Sequence, residues 1–428
     1  MLLSLALALA TDAHAFCGTF VGAPGASLTN ASSQVVLARQ AGNTTLTLAV
    51  DYTGDASDFA IVLPVPDVLG PEDVKAGDAE LITWIEAYGT PRAVAYTCDT
   101  LFDLQHTGMG CGSTLGCADQ SVAGGFSRMG VSDYADDSVV VEREFTVGVY
   151  DIVVLSAEES SDLFTWLRNN GYELPRGGDD ILQEYIDAGV YFLAARVSLD
   201  APASGNVWLP PLQLRFPEEA PGLPIRIGTI NADGPQEVLI HALTDVSYGG
   251  EMGIANYPEV KVDNECMWLG DDGADMATWY AAEVDAAVNE AGGAGWIKEY
   301  SADLVPVAGT GYHCDPCTAE PAIPGGTFAP LGFDGYAAHL TRIRMRYTAE
   351  TAVSDLALYE SGILGAASQL RYVTYQPELE FAFPVCNEGW VDNPGECPGS
   401  YVAGCTAPVP MSGLGVLVAL LALRRRSA

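Results

Sequence analysis

The sequence has few basic residues and few histidines. Among its 428 residues are 19 Lys and Arg against 56 Asp and Glu, a formal net charge of −37 at pH 7, and only 5 His. Binding to nucleic acid depends on Lys and Arg that face phosphates, so this balance excludes a broad nucleic-acid footprint. It also argues against docking on anionic lipid headgroups and favours solubility. We therefore expect a solvated acidic surface.

Several motifs of enzyme chemistry are missing as well. The chain has no HExxH zinc motif, no phosphate-binding GxxxxGK loop and no GxSxG elbow, since the stretch 125–129 (GFSRM) lacks the closing Gly. A Ser/His/Asp triad built from distant positions stays open, but no pattern indicates one. We assign no catalytic, cofactor-binding or metal-ligating residue and expect no cofactor. A non-enzymatic role is the favoured interpretation.

Two acidic clusters supply the oxygen ligands that calcium takes, at residues 133–137 (DYADD) and 271–275 (DDGAD). Neither matches the EF-hand spacing of ligands and glycine. Helix capping explains the second cluster, with Asp275 as the N-cap of a helix that begins at Met276. A calcium-stabilised adhesin therefore stays an alternative function.

The start of the chain has the composition of an export signal. Residues 1–10 (MLLSLALALA) are almost wholly apolar, and Ala13 and Ala15 are the small residues that a signal peptidase requires. We predict a signal peptide at 1–15, cut after Ala15, with a buried N-terminal helix as the alternative. In an exported chain the ten cysteines are best interpreted as disulfides, whose pairing the sequence leaves open. They are Cys17, Cys98, Cys111, Cys117, Cys266, Cys314, Cys317, Cys386, Cys397 and Cys405.

The sharpest local motif is the pair Cys314 and Cys317, separated by Asp-Pro. This spacing is typical of redox dithiols, in which one thiolate attacks a disulfide and the second resolves it. Pro321 and Pro324 follow too closely for the helix that a thioredoxin-like site needs. A structural disulfide is the favoured interpretation, and a thiol–disulfide oxidoreductase or a metal site are the alternatives.

Hydrophobic periodicity predicts strands at 34–40, 44–52, 59–63, 145–155, 190–199, 212–216, 225–230, 237–243, 340–347 and 379–385. It predicts helices at 78–88, at 156–170 with Ser156 as N-cap and Glu159 as its capping-box partner, and at 179–188, 276–291 and 348–356. Residues 97–138 indicate a disulfide-tied loop. The strands come in runs and do not alternate with helices, so the predicted fold class is α+β. We expect mixed, mainly antiparallel sheets with flanking helices, braced by disulfides and rich in loops.

Charged side chains on two of these strands admit two interpretations. Arg342, Arg344 and Arg346 share one face of strand 340–347, where pairing with Asp or Glu on neighbouring strands is favoured and an anion site is the alternative. His241 lies on the polar face of strand 237–243, and we expect it at the surface or in a cross-strand pair.

The C-terminal segment 401–428 combines a cysteine, an apolar run and a basic cluster. Cys405 precedes the apolar residues 411–423 and the arginines 424–426. Thirteen helical residues span about 20 Å, less than the roughly 30 Å of a hydrocarbon core. We predict a sorting tail whose arginines stay on the cytoplasmic side of the membrane and which is processed at Cys405. A permanent tail anchor is the alternative. Residues 16–400 form the exported body, either undivided or as two subdomains that meet near 245–270.

Eight stretches of this body carry a resemblance to a known family: 16–18 (FCG), 33–37 (SQVVL), 58–66 (DFAIVLPVP), 150–160 (YDIVVLSAEES), 166–167 (WL), 170–172 (NGY), 313–317 (HCDPC) and 341–347 (TRIRMRY). Together they resemble a bacterial family, the domain of unknown function 2330. The resemblance covers residues 16–385 and implies an exported protein without an assigned activity. The tail resembles myxobacterial-type sorting signals, in which a cysteine precedes the apolar run. We expect an envelope or cell-surface protein, a structural or binding module with an envelope or extracellular partner, and membrane contact only through the tail.

Overall fold

The computed structural model describes residues 18–24, 28–29, 33–40, 42–54, 58–94, 139–174, 177–198, 207–216, 222–232, 234–246, 250–262, 276–304, 328–333, 338–363, 367 and 370–372. Several predictions lie outside these residues: the signal peptide with Ala15, all ten cysteines, the loop 97–138, both acidic clusters, the strand 379–385 and the tail 401–428. None of the helices within the described ranges has the length and apolar character to cross a membrane.

The described residues form nineteen strands and four α-helices. The strands are β1 (Thr19–Gly22), β2 (Leu28–Thr29), β3 (Ser33–Gln40), β4 (Asn43–Gly54), β5 (Asp58–Val65), β6 (Val74–Ala76), β7 (Arg92–Val94), β8 (Val139–Val147), β9 (Tyr150–Ala157), β10 (Tyr191–Ser198), β11 (Val207–Trp208), β12 (Leu212–Phe216), β13 (Gly222–Leu223), β14 (Gln236–Asp245), β15 (Met252–Ile254), β16 (Gly295–Leu304), β17 (Ala338–Tyr347), β18 (Leu356–Glu360) and β19 (Leu370–Tyr372). The helices are α1 (Ala79–Gly89), α2 (Ser160–Asn169), α3 (Asp179–Asp187) and α4 (Met276–Glu290).

Two large sheets carry the architecture. A five-stranded antiparallel sheet has the order β1-β5-β10-β9-β8. A nine-stranded sheet has the order β16-β17-β14-β3-β4-β12-β6, with β2 and β11 added to β4. Its pairs are antiparallel except for the parallel pair of β3 and β14. A ribbon of β13, β18 and β15 lies beside them, and β7 pairs with β19. The α+β class with mainly antiparallel sheets is confirmed.

The main core lies between the two large sheets, because alternate residues of each strand point to opposite faces. In β5, Phe59, Ile61 and Leu63 belong to this core and pack against apolar residues of the nine-stranded sheet such as Leu37 and Ile343. The outer face of the five-stranded sheet is covered by α2 and α3, and the outer face of the nine-stranded sheet by α1 and α4. The layers therefore run helix, sheet, sheet, helix.

Local signals placed several elements correctly. The side chain of Asp78 caps α1 by accepting from the N–H of Glu80. Gly171 and Gly189 follow α2 and α3 with φ of +88° and +74°, a left-handed conformation that glycine adopts without steric cost. The predicted helix 276–291 is confirmed as α4, and the hairpin at 34–52 is confirmed as β3 and β4.

Three predictions near residues 145–160 and 225–230 were wrong. The stretch 145–155 is not one strand but the hairpin of β8 and β9, turned at Gly148, whose φ is +56°. Ser156 does not cap α2, because it lies within β9 and its hydroxyl donates to Glu142 at 2.8 Å, while Glu159 is the N-cap. Residues 225–230, predicted as a strand, give way to the 3-10 helix Ile227–Asn231.

The predicted helix 348–356 was also wrong. The N–H of Thr348 donates to the hydroxyl of Thr351 at 2.8 Å, and the N–H of Thr351 points back to the hydroxyl of Thr348 at 3.3 Å. Such side-chain bonds compete with helical hydrogen bonds and favour a turn. The chain therefore turns here and enters β18, which places Asp355 just before that strand.

Candidate functional site

Seven charged side chains alternate in sign between the outer face of β14, β17 and β16 and the helices α1 and α4 that cover this face. We call this set the ion-pair ladder. Each of its three guanidinium groups contacts two carboxylates. The members, in order along the ladder, are Glu86, Arg342, Glu299, Arg344, Glu237, Arg346 and Asp285.

The positions of the ladder follow from strand geometry. The three arginines are two residues apart on β17 and therefore share a face. A bulge between Lys298 and Tyr300 in β16 shifts the register and turns Glu299 to the same face. The carboxylate of Glu299 then lies 2.6 Å from Nε of Arg342 and 2.5 Å from Nε of Arg344. The predicted pairing of the arginines with acidic residues is confirmed.

Burial makes the ladder electrostatically strong. Arg342 and Glu299 are both fully buried. Burial alone raises the pKa of Glu299, but the charges of Arg344 and Arg342 outweigh it and lower that pKa to about 2. Burial likewise raises the pKa of Glu86, yet its hydrogen bond with His241 and the charge of Arg342 hold it well below the usual range. Both carboxylates are therefore ionised at neutral pH.

Of the two places expected for His241, the surface was wrong, and the residue lies in β14 opposite Arg342 of β17. It is fully buried under α1, and its Nε2 lies 3.1 Å from Oε2 of Glu86. Burial lowers the pKa of His241, and the charge of Arg342 adds to this, while Glu86 opposes it. The result is a neutral imidazole that lies close to Glu86 beneath α1. The ladder and His241 thus form a structural network in which every arginine is already paired.

Acid should weaken this network. The folded-state pKa of Glu299, about 2, lies below its unfolded value, so its contribution is complete above about pH 4.5 and is lost as the pH falls toward 2. Glu299→Gln lacks the titrating charge. We expect the difference in unfolding free energy between wild type and this variant to shrink by about 3 kcal/mol between about pH 5 and pH 2. Urea unfolding at a series of pH values measures it.

The matched control is Glu184→Gln, because the carboxylate of Glu184 is 58% exposed and pairs with Arg226 at the surface. Exposed ion pairs contribute about 1 kcal/mol or less, so the stability difference between this variant and wild type should change by no more than that over the same pH range. A constant difference for Glu299→Gln as well would contradict the assigned charge state.

On the opposite face of β16 and β17, three side chains have the connectivity of a catalytic triad. His339 Nε2 lies 2.9 Å from Oγ of Ser301, and His339 Nδ1 lies 2.6 Å from Oδ1 of Asp303. However, Ser301 is 1% exposed, whereas Asp303 is 43% exposed. The hydroxyl of Ser301 also contacts Glu251 at 3.3 Å. A nucleophile must reach its substrate, so we assign these residues to a buried polar chain and not to a hydrolase site.

Among the described residues, a cavity of about 250 Å³ between the two large sheets has room for a small ligand. We call it the sandwich cavity. Leu37, Leu46 and Leu214 line it from the nine-stranded sheet, and Leu63 and Val65 line it from the five-stranded sheet. Thr44, Leu48, Pro64, Pro66, Val190, Phe216, Pro224 and Ala357 also contribute, as do residues at its rim. Its walls are almost wholly apolar.

The rim of the sandwich cavity is polar and is formed by α3 and the ribbon. The hydroxyl of Tyr185 donates to Oδ1 of Asp355 at 2.8 Å, and the backbone N–H of Arg226 donates to the same oxygen at 3.0 Å. Burial raises the pKa of Asp355, and these hydrogen bonds partly oppose the rise. The ribbon can pack this tightly because residue 222 is glycine: a Cβ there would lie 1.8 Å from the carbonyl oxygen of Leu356.

The candidate site residues named from the sequence are not tested by this geometry. Cys314, Cys317, Cys405 and Ala15 lie outside the described residues. Within those ranges no group of three or more His, Cys, Asp or Glu is arranged to hold a metal ion. Sequence reasoning missed the sandwich cavity, because its walls come from separate strands, and it missed Asp355, because that residue fell inside a predicted helix.

Comparisons with known proteins add one firm result. No curated protein matches the chain. The crystal structure of baculovirus P35 is similar over 80% of this chain and 98% of that chain, at 9% identity and a TM-score of 0.25. A TM-score this low does not show a shared fold.

A family model matches residues 11–359, most of the chain, and is described as an uncharacterized protein conserved in bacteria (DUF2330). The match includes every described residue that lines the sandwich cavity. It confirms the family resemblance drawn from the residues. The chain belongs to the DUF2330 family.

Proposed function

We propose that this protein is an exported envelope or cell-surface protein whose body binds a small apolar molecule in the sandwich cavity. The cavity itself is the observation that supports binding. Buried apolar walls with a few polar groups at one end are typical of small-molecule sites. A cavity of 150 Å³ accommodates benzene, so 250 Å³ has room for about ten non-hydrogen atoms.

The described residues favour a binding module over an enzyme. The buried titratable groups of the ion-pair ladder are paired with one another, and Ser301 is 1% exposed. Two alternatives carried by the sequence, an oxidoreductase that uses Cys314 and Cys317 and a calcium-stabilised adhesin, depend on residues outside the described ranges. No contact among the described residues favours either one.

A titration with octanol tests the binding proposal. Burying an eight-carbon chain contributes about 6 kcal/mol at roughly 0.8 kcal/mol per CH₂, which corresponds to a Kd on the order of tens of micromolar. Calorimetry on the full-length protein should show one saturable site. Absence of saturable heat up to the solubility of octanol would contradict the proposal.

The export part of the proposal is supported by the apolar start at 1–10, the ten cysteines and the strongly acidic composition. The tail at 401–428 would be its membrane contact, with an envelope or extracellular partner for the body. Intact mass, unreduced and reduced, of protein recovered from the native cell envelope tests this. We expect loss of residues 1–15 and of the tail after processing at Cys405. A retained signal segment would contradict export by this route.

A further inference from the structure

Asp355 gives the sandwich cavity a chemical preference at its rim. Among the described residues that line the cavity, it is the only acidic one and none is basic, although the charge of Arg226 also acts on it. The hydroxyl of Tyr185 and the N–H of Arg226 donate to it at 2.8 Å and 3.0 Å. A carboxylate offers about four lone-pair sites, so Asp355 has room for one further donor.

Charge also selects against one class of ligand. A carboxylate or sulfate head at the rim would meet the like charge of Asp355 in a partly buried setting, where such repulsion is strong. The net charge of −37 opposes the approach of anions in general. An alcohol or an amine, by contrast, supplies the hydrogen-bond donor that the rim can accept.

We infer that the sandwich cavity binds neutral or cationic amphiphiles, with an apolar body between the sheets and an alcohol or amine head that donates to Asp355. This inference rests on the proposed function. The head group decides which ligands bind, because the apolar walls accept any chain of suitable length, whereas Asp355 discriminates among head groups. Fatty acids of the same length should therefore be poor ligands.

Three probes with one chain length test the inference: octanol, octylamine and octanoate. Calorimetric titrations are run at about pH 8, where the carboxyl group of octanoate is ionised. We expect octylamine and octanol to bind at least about tenfold more tightly than octanoate. In Asp355→Asn, the amide oxygen still accepts from Tyr185 and Arg226 but the charge is gone. There the discrimination against octanoate should disappear, so that octanoate binds within about threefold of octanol.

A control variant keeps the result interpretable. Asp187→Asn removes one charge from the exposed end of α3, outside the cavity lining, and should keep the wild-type ranking. The ranking of the three probes on the wild-type protein tests the inference even if Asp355→Asn folds poorly. Equal binding of all three probes, or tightest binding of octanoate, would overturn the head-group inference and leave the binding function standing. Absence of binding by all three would overturn both.

Discussion

Replacing Arg342 with Met is expected to lower the free energy of unfolding by about 3–5 kcal/mol, the cost of removing one partner from a buried ion network. The side chain of Arg342 is fully buried and bridges Glu299 in β16 and Glu86 in α1, at 2.6 Å and 2.5 Å. Methionine fills much of the same volume, so packing is largely kept. The loss arises because the carboxylates of Glu299 and Glu86, in a low-dielectric setting, lose the positive charge with which both of them pair. Urea unfolding at neutral pH measures the change.

The control for this prediction is Arg226→Met. Arg226 pairs with Glu184 at the surface, where the two side chains are 22% and 58% exposed. Water and salt screen such a pair, so the change should stay below about 1 kcal/mol. Its backbone N–H still donates to Asp355, because the substitution leaves the main chain intact. Similar losses for both variants would show that the ladder does not fasten α1 to the sheet.

Replacing Leu214 with Trp is expected to weaken octanol binding by about 100-fold. Leu214 is 1% exposed in β12 and lines the sandwich cavity, so the larger indole would occupy space that the ligand chain needs. Excluding about half of an eight-carbon chain removes roughly 3 kcal/mol of apolar burial. Calorimetric titration compares the variant with wild type, and a thermal unfolding scan establishes that the variant is folded.

The matched substitution is Ile363→Trp, which introduces the same side chain at a position that is 70% exposed and outside the cavity lining. It should bind octanol as wild type does. If folded Leu214→Trp also bound octanol at the wild-type affinity, the ligand would lie elsewhere and the sandwich cavity would not be the binding site.

Local patterns in the sequence were enough to find much of the fold. The apolar stretch 59–63 predicted β5, and the apolar pattern at 78–88 predicted α1. The shared face of the three arginines on β17 predicted acidic partners. These features depend on neighbours within a few residues, so local patterns can show them.

Other features depend on contacts between distant parts of the chain. His241 lies on the outer face of β14, and only the packing of α1 over that face makes it buried. The parallel pairing of β3 with β14 joins segments that no local pattern connects. The bulge at Glu299 lies in β16, a strand that periodicity did not predict. Asp355 was hidden because the turn held by Thr348 and Thr351 was taken for a helix.

The most direct test of the central claim is a crystal structure of the protein soaked with octanol that carries bromine at the far end of its chain. Anomalous scattering locates the bromine independently of the protein phases. We predict a bromine peak between Leu63 and Leu214, with the hydroxyl within hydrogen-bond distance of Asp355. A bromine peak outside the sandwich cavity, or a cavity without ligand density at a concentration that saturates the calorimetric titration, would contradict the account.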